Sequence, residues 1–258
     1  EVSRRYGDSP EARVREQVAR ALNNKGATLC QMGKNAEAIA VYGEVARRYG
    51  GAPETGVREQ VAGALYNKGV RLGQVGKNKE AIAVFDEVVQ RYGDAPEAGV
   101  REQVAKALNN KGVRFGQMGK YAEAIAVFDE VTRRYGDAPE DGVRDQVAIA
   151  LSGKGVGLLY AAKEIWCAGD ENSARARLAL ALADIDAALA RKPDAPIILG
   201  NRGYILFLQG DTEEASAVLA QAIHLGGEEL RQAELKDADV HLLPQDEAHP
   251  AHRVKQLR

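Results

Sequence analysis

The chain has 258 residues, a formal net charge of −2, 45% hydrophobic and 5% aromatic residues, and two cysteines. So balanced a charge supplies no global basic field of the kind that draws nucleic acid or acidic membranes. No apolar run is long enough to span a bilayer, and Cys30 and Cys167 lie far apart in unlike sequence, which excludes a disulfide framework and fits a reducing, cytoplasmic setting.

No secretory leader is visible at the start of the chain. Glu1-Val2-Ser3-Arg4-Arg5-Tyr6-Gly7 matches Glu44-Val45-Ala46-Arg47-Arg48-Tyr49-Gly50. This match predicts that residues 1–8 are the tail of a preceding unit and that the chain is a fragment of a longer protein. Gly26, Gly69, Gly112 and Gly155 then fall at a constant step of 43 residues; the first three repeats run over about 4–46, 47–89 and 90–132, and the second and third are nearly copies. Self-similarity at such a step marks stacked units that share one elongated core instead of separate globules.

Each unit reads as two helices. In the third, Pro96 is compatible with a first turn, and Glu97 and Glu102 lie early, where the helix dipole favours acids. Val100, Val104, Leu108 and Phe115 recur at helical spacing as an apolar stripe. Gly119-Lys120 interrupts it, and a second helix follows with Ala124, Ile125, Phe128 and Val131 as its buried face. Arg133, Arg134 and Tyr135 close that helix, Gly136 stops it and Asp137-Ala138-Pro139 turns to the next unit.

The fourth unit, about 140–192, keeps Lys154-Gly155, but its next matching alanine, Ala181, comes 26 residues after the glycine, against 12 between Gly112 and Ala124. That predicts two elongated helices meeting at Gly169-Asp170. A fifth unit runs over about 194–225, so the array spans 9–227 in five helix pairs, and residues 228–258 supply a capping helix and tail.

The recurring positions resemble the tetratricopeptide repeat: Leu108, Gly112, Phe115, Gly119, Ala124, Phe128 and Val131 in unit three, with Leu65, Gly69, Leu72, Gly76, Ala81, Phe85 and Val88 in unit two. Leu22, Gly26, Leu29, Gly33, Ala38, Tyr42 and Val45 repeat the pattern in unit one, and Leu199, Gly203, Leu206, Gly210, Ala215, Leu219 and Ala222 in unit five. The resemblance implies an all-α fold, a right-handed solenoid of antiparallel helix pairs. Two features depart from the family. The step exceeds the family's repeat of about 34 residues, because Gly-Val-Arg-Glu-Gln-Val-Ala lengthens the first helix. A lysine also precedes the anchor glycine, where the family usually has leucine.

The resemblance further implies a concave groove lined by first helices, where polar groups hold extended peptides. The groove positions it assigns are Arg20, Asn23, Gln31, Tyr66, Gln74, Lys106, Asn109 and Gln117. A polar ladder recurs beside them: Asn24-Lys25, Asn67-Lys68, Asn110-Lys111, Lys154 and Arg202. These groups can bind a peptide backbone and acidic side chains, or they can fasten unit to unit, with lysine stems covering a neighbouring helix. A second ladder, Arg15-Glu16, Arg58-Glu59, Arg101-Glu102 and Arg144-Asp145, suggests ion pairs between units. Trp166, the sole tryptophan, is a candidate contact on the fourth hairpin, or else packs between its helices.

Chemistry finds little support. His249 and His252 have metal-ligand spacing, but Pro250 between them argues against a shared helical face and no carboxylates complete a set. Ser152-Gly153-Lys154-Gly155 lacks the spacing of a phosphate loop and aligns with the repeat. Asp86-Glu87 and Asp129-Glu130 read as a solvated face. The expectation is a non-catalytic scaffold that binds a protein or extended peptide, without cofactor or metal, and without nucleic-acid or membrane partners. The alternative is a sensor or regulatory arm of a larger bacterial signalling or defence enzyme. Self-association through the first unit's upstream face is a further expectation.

Overall fold

The computed structural model describes residues 9–238. Ten helices follow in order: α1 (Ala12–Gln31), α2 (Asn35–Tyr49), α3 (Thr55–Gln74), α4 (Asn78–Tyr92), α5 (Ala98–Gln117), α6 (Tyr121–Tyr135), α7 (Asp141–Cys167), α8 (Glu171–Arg191), α9 (Pro196–Gln209) and α10 (Thr212–Ala238). The tail at 1–8, and His241, His249 and His252, lie outside the described residues.

The described chain divides into two compact units. The first holds α1 to α5 with residues 138–146, which include the start of α7. The second holds α6, the rest of α7 and α8 to α10.

Within the first unit, α1 packs on α2 and α3 on α4. Each second helix packs on the next first helix, and first helices pack side by side, α1 on α3 and α3 on α5. The first helices are 20 residues and the second 15, so the extra length of the repeat resides in the first helix. Two contacts set the pair geometry. Gly26 faces the Tyr42 ring so closely that an added Cβ would lie 2.5 Å from it, and Gly69 admits the Phe85 ring in the same way. The anchor glycine therefore lets two backbones approach over a large side chain. Val61, Leu65, Phe85 and Val88 are fully buried in this seam. Each such side chain contributes about 1.5–3 kcal/mol on removal from water.

The turn between the helices of a pair needs a residue at positive φ. Gly33 and Gly76 supply it, at 73° and 79°, a conformation that costs other residues about 1–2 kcal/mol. One residue forward by one repeat from Gly119 stands Ala162, fully buried inside α7. Without glycine the helix runs on to 27 residues and turns only at Gly169, φ 92°. The Asp170 side chain then accepts a hydrogen bond from the Ser173 amide, 3.0 Å, and caps α8. Hydrogen bonding from the Ser173 side chain, and then from its amide, holds the Asp170 carboxyl below its ordinary value.

In the second unit Gly155 faces Ile185 and Gly203 faces Leu219, repeating the anchor with aliphatic partners. Helix α10 bends at Gly227, φ 65° and ψ −159°.

Pro96 lies near the first turn of α5, just ahead of the Glu97 N-cap. One expectation changes: on α6 the apolar face includes Val127, at 7% exposure, while Ile125 is half-buried. The arginine ladder forms ion pairs between repeats, with acids outside the ladder, as follows.

Candidate binding surface

Arg15 pairs with Glu54, Arg58 with Glu97 at 2.8 Å, and Arg101 with Glu140 at 2.8 Å. Each arginine of a first helix thus reaches the residue just ahead of the next first helix, and the adjacent acids expected as partners do something else. Glu16, Glu59 and Glu102 lie against Gly56, Gly99 and Gly142, in the first turn of the following first helix. There the exposed N–H groups and the dipole favour a carboxylate, and glycine leaves room for it. Arg144 breaks the series and turns to Asp141 in its own helix. These pairs are half-buried, so their contribution exceeds the ~0–1 kcal/mol of an exposed pair only where the carboxylate is well desolvated.

The asparagine row also fastens repeats together. The Asn23 amide donates to the Gln60 carbonyl at 2.9 Å and to its side chain at 3.1 Å, and Asn109 does the same to Gln146 at the same distances. Asn109 is 2% exposed, which withdraws it from any open surface. Tyr66 stands at this place in the middle repeat. Its hydroxyl accepts from the Asn110 amide at 3.4 Å, and Asn110 also donates to the Lys106 carbonyl at 3.0 Å.

The lysine ladder leans toward second helices. Lys111 pairs with Asp86 at 2.5 Å, and Lys154 with Asp129 at 2.8 Å and Asp184 at 3.3 Å. Asp86 and Asp129, read from sequence as solvated, are the lysine partners. Gly43 holds their place in the first repeat, where an added Cβ would lie 3.8 Å from the Lys68 ammonium. Lys25 is exposed. Burial pulls the Lys154 ammonium down, but its two carboxylates overcome this and raise it above its ordinary value. Asp184 is unequal to its partner: its own burial raises it, and Lys154 only partly offsets that. Arg202 bridges Asp186 and Glu214, both at 2.8 Å, tying α8 to α10.

What remains open is a stripe along the first helices. Gln31, Gln74 and Gln117 are exposed in all three copies, one at the last residue of each of α1, α3 and α5. Arg20 and Asn24 are exposed, Lys106 and Asn67 partly so. Arg20 is braced by Glu16 at 2.8 Å and Lys106 by Glu102 at 2.6 Å. Val113, 39% exposed, lies between Lys106 and Gln117 on the same face of α5.

The corresponding stripe in the second unit is apolar. Ile149 and Ile197 are 42% and 68% exposed. Tyr160 stacks on Tyr121 with ring centroids 5.4 Å apart. Lys163, 3% exposed, donates to the Tyr204 hydroxyl. At the hairpin tip the Arg175 guanidinium lies 5.2 Å over the Trp166 ring, while Arg175 is held by Glu171 at 2.8 Å. Trp166 is half-buried there, one face covered. The sequence pattern did not single out Lys163 or Tyr204, and it singled out Glu97 only as an early helix acid, without Glu54 and Glu140 as a series of arginine partners. That series was visible in principle, since those glutamates recur at the repeat step.

No three His, Cys, Asp or Glu side chains converge as metal ligands would among the described residues. No described helix is long and apolar enough to cross a membrane.

Helix pairs anchored by glycine, stacked through their first helices and open along one stripe, define an α-solenoid of the protein-interaction scaffold class. The chain belongs to the tetratricopeptide repeat family, whose sequence profiles match residues 66–139 and 168–229, and 18–50. Among solved structures, it is similar to a MamA fragment of Desulfovibrio magneticus RS-1, 18% identical over 81% of this chain and 94% of that one, TM-score 0.51. It is likewise similar to the nearly identical repeats of a putative kinesin light chain of Podosopora anserina, 12% identical over 84% and 98%, TM-score 0.56. A search of curated protein sequences finds no match.

Proposed function

We propose that the open stripe of α1, α3 and α5 binds an extended segment of a partner protein through its main chain. The observation that supports this most is the exposed row Gln31, Gln74 and Gln117, one amide per repeat. A primary amide both donates and accepts, as a peptide backbone requires, and one amide per repeat suits an extended ligand. Arg20 and Lys106 add positive charge beside the row, which favours acidic side chains in the ligand. In the second unit the stripe of Ile149, Tyr160, Ile197 and Tyr204 offers apolar contact, so it favours aliphatic or aromatic side chains.

This reading reassigns part of the polar ladder. Asn23, Asn109, Lys111, Lys154 and Arg202 have partners within the chain and act as fasteners. Asn24, Lys25, Asn67 and Lys68 remain candidate contacts, with Tyr66 and Trp166 beside them.

The test is a peptide-display selection on the chain, followed by calorimetric titration of the selected peptides. Replacing Gln31, Gln74 and Gln117 together with alanine is expected to weaken binding at least about tenfold, roughly 1.4 kcal/mol, with unfolding unchanged. Selected peptides whose affinity ignores all three substitutions would remove the row from the site.

A further inference from the structure

Each first helix that follows a described second helix carries a cation just before its anchor glycine: Lys68, Lys111, Lys154 and Arg202. Three of these cations meet an aspartate on the second helix before them. Asp86 on α4 takes Lys111 at 2.5 Å, Asp129 on α6 takes Lys154 at 2.8 Å, and Asp186 on α8 takes Arg202 at 2.8 Å. The remaining place breaks the rule. At that step of the repeat α2 carries Gly43, and the Lys68 ammonium stands over it, 3.8 Å from where a Cβ would be. Lys68 is half-buried, as Lys111 and Lys154 are, yet among the described residues it forms no ion pair. Glu44, next to Gly43 in sequence, turns to Arg48 at 3.3 Å.

Neither backbone nor packing calls for glycine at 43. The residue lies inside α2, and an added Cβ would meet only the Lys68 side chain, at ordinary van der Waals distance. Gly26 and Gly69 differ, since a Cβ there would strike a ring. A mid-helix glycine is less stable than alanine, and a partly buried charge is costly without a counter-charge. The α2–α3 junction accepts both costs at one point. The result is a gap where the other junctions hold a carboxylate, with the ammonium still in place.

We propose that this gap docks one carboxylate of a partner segment, an aspartate or glutamate side chain that takes the place of the acid the repeat omits. The proposal rests on the reading that the chain binds such a segment, and it names the group that Lys68 takes from it. The chemistry is set by the chain itself: at the three equivalent junctions the cation is met by a carboxylate.

The test is NMR of the lysine side chains, following Nζ and Cε of Lys68 and Lys111 while aspartate blocked at both ends is added at constant ionic strength. Lys68 should titrate with a half-saturating concentration at least about fivefold below that of Lys111, the most that a partly exposed ion pair supports. Gly43→Asp should supply the carboxylate within the chain and abolish the Lys68 response. Asp86→Gly should open the same gap at the next junction and make Lys111 titrate as Lys68 does. Gly43→Ala examines the glycine alone, and should move the unfolding equilibrium about two- to fivefold toward the folded state. Equal responses of Lys68 and Lys111 in the unaltered chain would overturn the proposal. So would a Lys68 response that survives Gly43→Asp, a silent Lys111 in Asp86→Gly, or a loss of stability in Gly43→Ala, which would show that α2 needs the glycine. A blocked amino acid is too short to span the glutamine row, so a failed peptide selection leaves the Lys68 result standing, and a silent Lys68 leaves the row standing.

Discussion

The α1/α2 and α3/α4 pairs and the α7/α8 pair start from nearly the same first-helix sequence and end differently. In the regular pairs the chain reaches glycine at the end of the first helix, turns at positive φ, and places a 15-residue second helix against the anchor glycine. In α7 the corresponding residue is Ala162, the helix continues to Cys167, and α8 returns over 21 residues. The anchor survives in both, Gly69 against Phe85 and Gly155 against Ile185. The comparison teaches that pairing and helix length are set by separate residues. The glycine in mid-helix decides how closely two helices approach. The glycine at the turn decides where the first one stops.

The strongest way to break this comparison is at the anchor. Gly69→Ala should destabilise the chain by about 1–3 kcal/mol, because the new Cβ meets the Phe85 ring and overpacking outweighs the helix propensity gained; the urea midpoint measures it. Gly76→Ala should cost about 1–2 kcal/mol, since the turn holds its φ at 79°. The reciprocal change, Ala162→Gly, should cost only about 1 kcal/mol, as for glycine in any helix interior. If Gly76→Ala proved harmless while Ala162→Gly was severe, turn glycines would not be what separates the two kinds of pair.

Much of this was legible in the sequence because a repeat presents the same evidence several times. The anchor glycines, the turn glycines and the long fourth pair all follow from one 43-residue step and one interruption of it. The partners of polar groups were harder to read. Arg15 sits beside Glu16 in sequence but reaches Glu54, because an adjacent residue on a helix points about 100° away while the next repeat's helix start lies within reach. Lys111 and Asp86 are 25 residues apart, and only the packing of a first helix on the preceding second helix joins them. The open row Gln31, Gln74 and Gln117 was legible through family resemblance. The burial of Asn109 was not, since asparagine in a helix is ordinarily exposed.

A smaller effect sharpens the comparison within the regular pairs. Tyr42 occupies the place of Phe85, and its burial, with Cys30 at 4.0 Å adding to it, pushes its phenol up to about 12. The folded state therefore keeps a proton that the unfolded chain releases near its ordinary value of about 10. The stabilisation is complete below that pH and is lost as pH rises toward 12. Tyr42→Phe should change stability at neutral pH by less than about 0.5 kcal/mol and flatten the alkaline decline. Tyr92, also raised by burial, should leave a residual slope. Denaturation midpoints across the alkaline range for both proteins would check this, and an unaltered slope in Tyr42→Phe would remove the phenol from the account.

The separation of fasteners from open contacts is tested most directly by titrating one selected peptide into Lys111→Ala and Gln117→Ala side by side. The account predicts that Gln117→Ala weakens binding with the urea midpoint unmoved, while Lys111→Ala lowers the midpoint and leaves affinity within about twofold. The reverse, with Lys111→Ala losing the peptide and Gln117→Ala retaining it, would contradict the assignment of the glutamine row as the binding stripe.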